Sequence, residues 1–343
     1  MFADRIEGKW IDAFAELFEA AAVRSTETVA ILAETQSREI NVHLAELALS
    51  RLGVRPYRLV APSLRSGRMI TRSTGASQVL TGLDPLVAAM QAADVVVDLT
   101  LEGLMHAPQT GAILSAGTRI LVISNEHPEI LERMRPDPAL KEATLQAARR
   151  ARKAKAMTVT SKEGSDLTVD MEGAQTVGVW GWTDKPGTLA HWPGGIVVSF
   201  PRAGTVAGRL VLSPGDMNLT YKRYIESPVT LTLKDDRVVA VEGNGVDAKL
   251  MRDTWAAWND DDAYAVSHVG WGLNPGARWD AMTMVDKGHH NGTELRAVPG
   301  NFLFSTGANE FAGRYGEGHF DLPMMGCTIK LDGEAVVDEG RLV

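Results

Sequence analysis

A single cysteine, Cys327, stands in 343 residues, so no internal disulfide can form. That excludes a cystine-stapled secreted scaffold and fits a reducing compartment, the cytoplasm. No apolar run reaches the roughly 18 residues that a membrane-spanning helix needs. The first 22 residues interleave Asp4, Glu7, Asp12, Glu16 and Glu19 with apolar positions at helical spacing. No secretory signal is expected there. Positive charge is short as well: 35 Lys+Arg face 43 Asp+Glu, a net charge of −8. A nucleic-acid partner calls for a basic balance or stripe, so none is expected. The one basic segment, within Pro138–Lys155, reads as the solvated face of a helix bridging two domains. There is also no internal repeat, no low-complexity stretch, and no G-x-G-x-x-G or Walker loop, which leaves a Rossmann nucleotide site without support.

What remains is an ordinary globular composition, 45% hydrophobic and 23% charged, in a chain long enough for two domains at about 150 residues each. The first 130 residues alternate helical and apolar β-branched segments. Lys9–Ala22, Asn41–Leu52, Leu83–Ala93 and His106–Ala116 read as helices; Thr28–Ala33, Pro56–Ala61, Asp94–Thr100 and Arg119–Ser124 read as strands. This is the pattern of βαβ units on a parallel sheet covered on both faces. From Met157 the texture changes to short strands separated by Gly and Pro: Met157–Ser161, Leu167–Glu172, Ile196–Phe200, Ala207–Leu212, Val229–Leu233 and Val238–Glu242. One helix, Val246–Trp258, interrupts them, and a hairpin around Asp332-Gly333 closes the chain. The fold class is α/β: a doubly wound parallel-sheet domain over residues 1–155, then a strand-rich, mostly antiparallel α+β domain over residues 156–343, where the metal-ligating candidates below are expected.

Three segments hold chemistry. In Gly316-Glu-Gly-His-Phe-Asp-Leu-Pro323, an extended backbone puts His319 and Asp321 on one face. In Ala265-Val-Ser-His-Val-Gly-Trp-Gly-Leu-Asn-Pro275, His268 sits in an apolar, glycine-rich strand, where a lone histidine reads as a core residue with one hydrogen bond. In Gly300-Asn-Phe-Leu-Phe-Ser-Thr-Gly307, Ser305 alone reads as a turn residue. Together they supply two imidazoles and one carboxylate. That set suits a non-haem Fe(II) with open positions, and equally a catalytic zinc. His289 and His290, in Lys287-Gly-His-His-Asn-Gly292, read as an exposed turn apart from the site. The tryptophans read as packing, with one or two placed to flank an aromatic ligand.

The segments Trp192–Pro201, Gly204–Gly208, His268–Pro275, Gly300–Gly307 and His319–Asp321 resemble the aminopeptidase T superfamily, whose members hold two metal ions with two glutamates, two histidines and an aspartate. The departures are informative. Ile196 and His268 stand where the peptidase pattern has ligand glutamates. Leu303 replaces a ligand histidine, and Glu310 falls near a peptidase tyrosine. His319 and Asp321 persist, and with His268 they leave a mononuclear set. This pattern is similar to one branch of the superfamily, the 2,5-dihydroxypyridine 5,6-dioxygenases of bacterial nicotinate and nicotine breakdown. The resemblance implies Fe(II) held by His268, His319 and Asp321, with insertion of both oxygens of O2 and opening of the ring to N-formylmaleamate. It implies His106, His191 and Ser305 in the substrate pocket, between the domains, and a homo-oligomer. Two rival readings are a metallo-aminopeptidase with a rearranged site and a binding protein on a decayed hydrolase scaffold.

Overall fold

The computed structural model describes residues 5–64 and 77–343; Asp4 of the N-terminal stretch lies outside them. Helices and strands alternate at first: α1 (Gly8–Ala20), β1 (Val29–Glu34), α2 (Glu39–Arg51), β2 (Tyr57–Ala61), α3 (Asp84–Gln91), β3 (Val95–Asp98), α4 (Thr110–Ser115), β4 (Arg119–Ile123), α5 (Pro128–Arg133) and α6 (Pro138–Lys153). The four strands pair in parallel, in the order β2-β1-β3-β4. β1, β3 and β4 are buried along their whole length.

Alternate residues of those strands feed opposite faces, as a period of two requires. Val29, Ile31, Val95, Val97, Leu121 and Ile123 pack with Phe14 and Phe18 of α1 and with Leu44 and Leu49 of α2. Ala30, Leu32, Val96, Ile120 and Val122 pack on the other side with Met90, Leu104 and Ile113. α1 buries Trp10, Phe14, Leu17 and Phe18, spaced for one helical face. Each such large side chain contributes roughly 1.5–3 kcal/mol on leaving water.

Next come β5 (Ala156–Thr160), β6 (Asp166–Asp170), β7 (Gln175–Val179), β8 (Leu189–Trp192), β9 (Ile196–Phe200) and β10 (Val206–Leu212). β8 does not join its sequence neighbours. It lies parallel to β4, from Ile120↔Leu189 to Ile123↔Trp192, and forms the fifth strand of the first sheet. The sequence division at residue 155 follows texture, whereas this sheet takes a strand from well beyond it. Leu-Ala-His-Trp is too short and too mixed to announce a strand, and Pro193 ends it.

The remaining elements are β11 (Met217–Asn218), β12 (Arg223–Tyr224), β13 (Val229–Lys234), β14 (Arg237–Glu242), α7 (Val246–Trp258), β15 (Val266–Gly272), α8 (Ala281–Met284), α9 (Thr293–Arg296), β16 (Phe302–Asn309), β17 (Arg314–Met324), β18 (Thr328–Leu331), β19 (Glu334–Asp338) and β20 (Arg341–Leu342). Two large antiparallel sheets result, ordered β14-β13-β10-β6-β5-β18-β19-β20 and β17-β16-β15-β9-β7, and β11 pairs with β12 in a two-stranded third. Their inner faces share one core. Met157, Val169, Leu210 and Ile329 come from the first sheet, Val269, Trp271, Phe304 and Leu322 from the second, and Met251, Trp255 and Trp258 from α7. The fold is thus the mixed α/β arrangement expected, a parallel sheet joined to a strand-rich antiparallel part.

Candidate metal centre

β16 and β17 set the first part of the site. Phe304 pairs with Leu322, Ser305 with Asp321, and Gly307 with His319. Phe302, Phe304, Phe320 and Leu322 enter the core. Alternation sends Ser305, His319 and Asp321 to the opposite face.

β15 adds His268 through an irregularity. Val266 pairs with Thr306 and Val269 with Phe304, so three steps on β15 match two on β16. Both valines lie in the core. Strict alternation from Val266 would aim His268 into that core as well. The bulge turns it to the site face instead, a re-aiming that such features commonly perform beside functional sites.

Three donor atoms converge there. His268 Nε2 is 3.2 Å from His319 Nε2 and 3.5 Å from Asp321 Oδ1, and His319 Nε2 is 3.4 Å from the same oxygen. All three residues are buried. Atoms bonded to one ion at about 2.0–2.2 Å, at angles between octahedral and tetrahedral, lie about 3.0–3.5 Å apart, so the triangle fits a shared metal. Asp321 Oδ1 is buried with no hydrogen-bond partner among the described residues. An anionic oxygen left so is costly unless a cation answers it. Among the described residues this is the group of three or more His, Cys, Asp or Glu side chains arranged to hold a metal.

The charge states suit ligation. Burial pushes the His268 imidazole down to about 3, so it is neutral at physiological pH. Burial opposes ionisation of Asp321, but Arg296 and His319 outweigh it and hold the carboxyl well below its usual range. Arg296 Nε donates to Asp321 Oδ2 at 2.7 Å. Ser267 Oγ lies 3.5 Å from His319 Nδ1 and donates to the Ala308 carbonyl. Ser305 Oγ stands 3.3 Å from His319 Nε2, at the converging point itself.

Beside the triad opens a cavity of about 1040 Å³, walled by His106, His191, Phe200, Glu310, Trp180 and Ala308 among others. The Phe200 ring lies 5.5 Å from that of His268, and the His106 ring 5.9 Å from that of His319. His106 comes from the loop after β3, at the carboxyl edge of the parallel sheet, where open α/β sheets bind ligands. Its Nδ1 meets Glu310 Oε1 at 2.7 Å. With the proton on Nδ1, donated to the carboxylate, Nε2 carries the lone pair. Burial raises the Glu310 carboxyl, but its bond to His106 prevails and the net shift is downward. His191, on β8, is pushed down to about 4, by burial first and then by Arg296. It is therefore neutral at pH 7.

The structure brings together His268, His319, Asp321 and Ser305, with His106 and His191 on the adjoining wall. It corrects one reading: His290 and Asn291 are buried, not an exposed turn. Asn291 N donates to Glu126 and the His289 carbonyl accepts from His127 N, which docks this segment on the parallel sheet. Paired polar partners far away in sequence made a buried stretch look solvated. Arg296 was not singled out by the sequence, and Glu310 appeared only as the residue near a peptidase tyrosine. Nothing local marks either, since Glu310 acts through His106, 204 positions away, and Arg296 through Asp321, 25 positions on and across β16. Ile196 and Leu303, where the peptidase pattern places ligands, instead join Val198 and Phe200 in one apolar cluster. Their alkyl side chains offer a metal no ligand.

Fold and site define a mixed α/β protein whose donor set, two histidines and one carboxylate, fits a single metal ion. The chain belongs to the 2,5-dihydroxypyridine 5,6-dioxygenase (NicX) family, whose profile matches residues 9–343. It is 36% identical over 336 residues to the 2,5-dihydroxypyridine 5,6-dioxygenase of Pseudomonas putida KT2440, covering 96% of this chain and 95% of that one. The solved structure of 2,5-dihydroxypyridine dioxygenase from the same strain matches with a TM-score of 0.92 at 35% identity, over 97% of this chain and 96% of that one. AmpT from Thermus thermophilus shares the fold, with a TM-score of 0.61 at 14% identity over 98% and 99% of the two chains. The resemblance read from the sequence segments is borne out at the level of family. No helix among the described residues is long and apolar enough to cross a membrane.

Proposed function

We propose that this chain is an Fe(II)-dependent, ring-opening dioxygenase that converts 2,5-dihydroxypyridine and O2 to N-formylmaleamate, with both oxygen atoms entering the product. The observation that carries the reading is the convergence of His268 Nε2, His319 Nε2 and Asp321 Oδ1 within 3.5 Å of one another, beside a cavity lined by aromatic rings. These three residues hold the iron. Ferrous iron supplies the redox chemistry with O2 that side chains lack, and it templates both reactants.

The protein's own groups do the rest. Phe200 and Trp180 offer apolar surface to a flat heteroaromatic ring. His106, oriented by Glu310, takes the hydroxyl proton on Nε2, and the imidazolium that forms faces a carboxylate. His191, neutral at pH 7, hydrogen-bonds the ring or its oxygens without adding charge. Ser305 Oγ donates to a reactant oxygen at the metal-facing side of His319. The reading puts the metal on residues 156–343 and the proton acceptor on residues 1–155. The lone buried Cys327 supports a cytoplasmic enzyme, and the superfamily resemblance supports a homo-oligomer.

Anaerobic purification followed by O2-electrode measurement tests this. The expected outcome is about one iron per chain and O2 uptake with 2,5-dihydroxypyridine that His268→Ala abolishes. Turnover that survives full metal removal, or amino-acid release from peptides in its place, overturns it.

A further inference from the structure

Asp321 is held asymmetrically. Its Oδ1 faces His268 and His319, while its Oδ2 accepts from Arg296 Nε at 2.7 Å. A free carboxylate can close on a cation with both oxygens. Here one oxygen is already bound to a guanidinium, itself buried. The arginine is fixed in turn. Its Nη1 donates to the Asn291 carbonyl at 3.3 Å, and its own carbonyl accepts from Asn301 Nδ2 at 3.1 Å. The helix that carries it, α9, is pinned to the parallel sheet's carboxyl edge. Asn291 N and Thr293 N donate to the two oxygens of Glu126 at 2.6 and 2.8 Å, and Ser124 Oγ meets Thr293 Oγ1 at 2.7 Å.

We propose that Arg296 is a positioning residue that restricts Asp321 to one metal-facing oxygen, so that a coordination position stays free for a reactant. The proposal rests on the metal reading of the site, though not on the identity of the substrate. An oxygenase that must admit two reactants at one ion has a use for such a restriction, since every position the protein fills is one a reactant loses. Arg296 therefore sets how many positions remain.

Cobalt(II) is the probe, because its visible bands weaken and shift as a further ligand is added. The test compares anaerobic Co(II) titrations of wild type, Arg296→Met and Arg296→Lys, together with kcat and KM of the Fe(II) forms. Arg296→Met is expected to keep bound cobalt but with weaker, shifted bands, and to lose about 10- to 100-fold in kcat, the usual effect of removing a group behind a metal ligand. Arg296→Lys still gives Oδ2 a donor, so its spectrum is expected to stay close to wild type. Identical cobalt spectra for wild type and Arg296→Met overturn the proposal, as does loss of cobalt binding from an Arg296→Met protein with native circular dichroism. If Arg296→Met does not fold, an Arg296→Lys spectrum with an added ligand overturns it instead. Failure of the wild type to turn over dihydroxypyridine would strike the proposed reaction while leaving the spectral comparison to judge Arg296.

Discussion

His268 Nε2 and His319 Nε2 meet at 3.2 Å although their strands, β15 and β17, are separated by β16. Strands one apart in a sheet are about 4.8 Å from each other, so these two backbones stand roughly twice that distance apart. The rings close the gap by leaning over β16, where Ser305 and Gly307 raise little more than one hydroxyl. Gly307 is required there for a second reason. Its φ is +112°, and a Cβ would stand 2.1 Å from the Gly318 carbonyl oxygen.

Gly307→Ala should therefore cost stability and metal together. The backbone strain alone is worth about 1–3 kcal/mol, and relieving the clash moves β17, which carries His319. Denaturant unfolding and iron content of the same preparation check this; full iron in a protein of unchanged midpoint would refute it.

Asp321→Asn removes the negative charge that answers Arg296 as well as an anionic metal donor. Breaking a buried ion pair by removing one charge costs about 3–5 kcal/mol, so the metal-free variant should unfold well before metal-free wild type. Equal unfolding midpoints of the two apoproteins would count against the pairing described.

Metal should stabilise the fold by linkage. An ion that binds only the native chain, at a hundred times its dissociation constant, adds about 2.7 kcal/mol. Calorimetry with and without ferrous ion should show that increment in wild type and lack it in His268→Ala, and a chelator should erase it.

His106 and Glu310 should separate proton movement from metal binding. His106→Ala is expected to lower kcat by about 10²–10⁴ with iron content unchanged. Glu310→Gln keeps the imidazole but loses its orienting anion, and a drop of about 10- to 100-fold is expected. Loss of iron in either variant would place these residues at the metal instead.

His191 gives the chain an acid-sensitive point. Its folded value, about 4, lies below the ordinary 6.5, so protonation favours the unfolded chain. Its contribution is complete above pH 6.5 and is lost as pH falls towards 4, a change on the order of 2 kcal/mol given that the ring is not fully shielded from solvent. Stability measured across that window should fall less steeply in His191→Gln than in wild type; parallel curves would exclude the effect.

Much of this architecture is legible in the sequence because it rests on local periodicity. β1, β3 and β4 are continuous apolar runs, α7 spans the very residues Val246–Trp258, and His319 and Asp321 share a face because strands alternate. What escapes is non-local. The extra residue that turns His268 outward shows only once β15 is paired with β16. Arg296 and Glu310 gain meaning from Asp321 and His106, which no spacing rule connects to them. His290 looks exposed among Lys, Gly and Asn, yet it is covered because Asn291 and Thr293 bind Glu126 in the loop after β4.

The placement of Leu189–Trp192 alongside Arg119–Ile123 has a practical outcome for anyone trimming the gene. An expressed piece stopping near residue 155 would leave Ile120–Ile123 as a bare hydrogen-bonding rim, a template for sticking to other chains. It would also lack Trp192, which fills the space beside Phe14 and donates to the Met134 carbonyl. Four residues of the later half complete the first sheet, and the contacts of Glu126 and Ser124 with Asn291 and Thr293 add to that lacing.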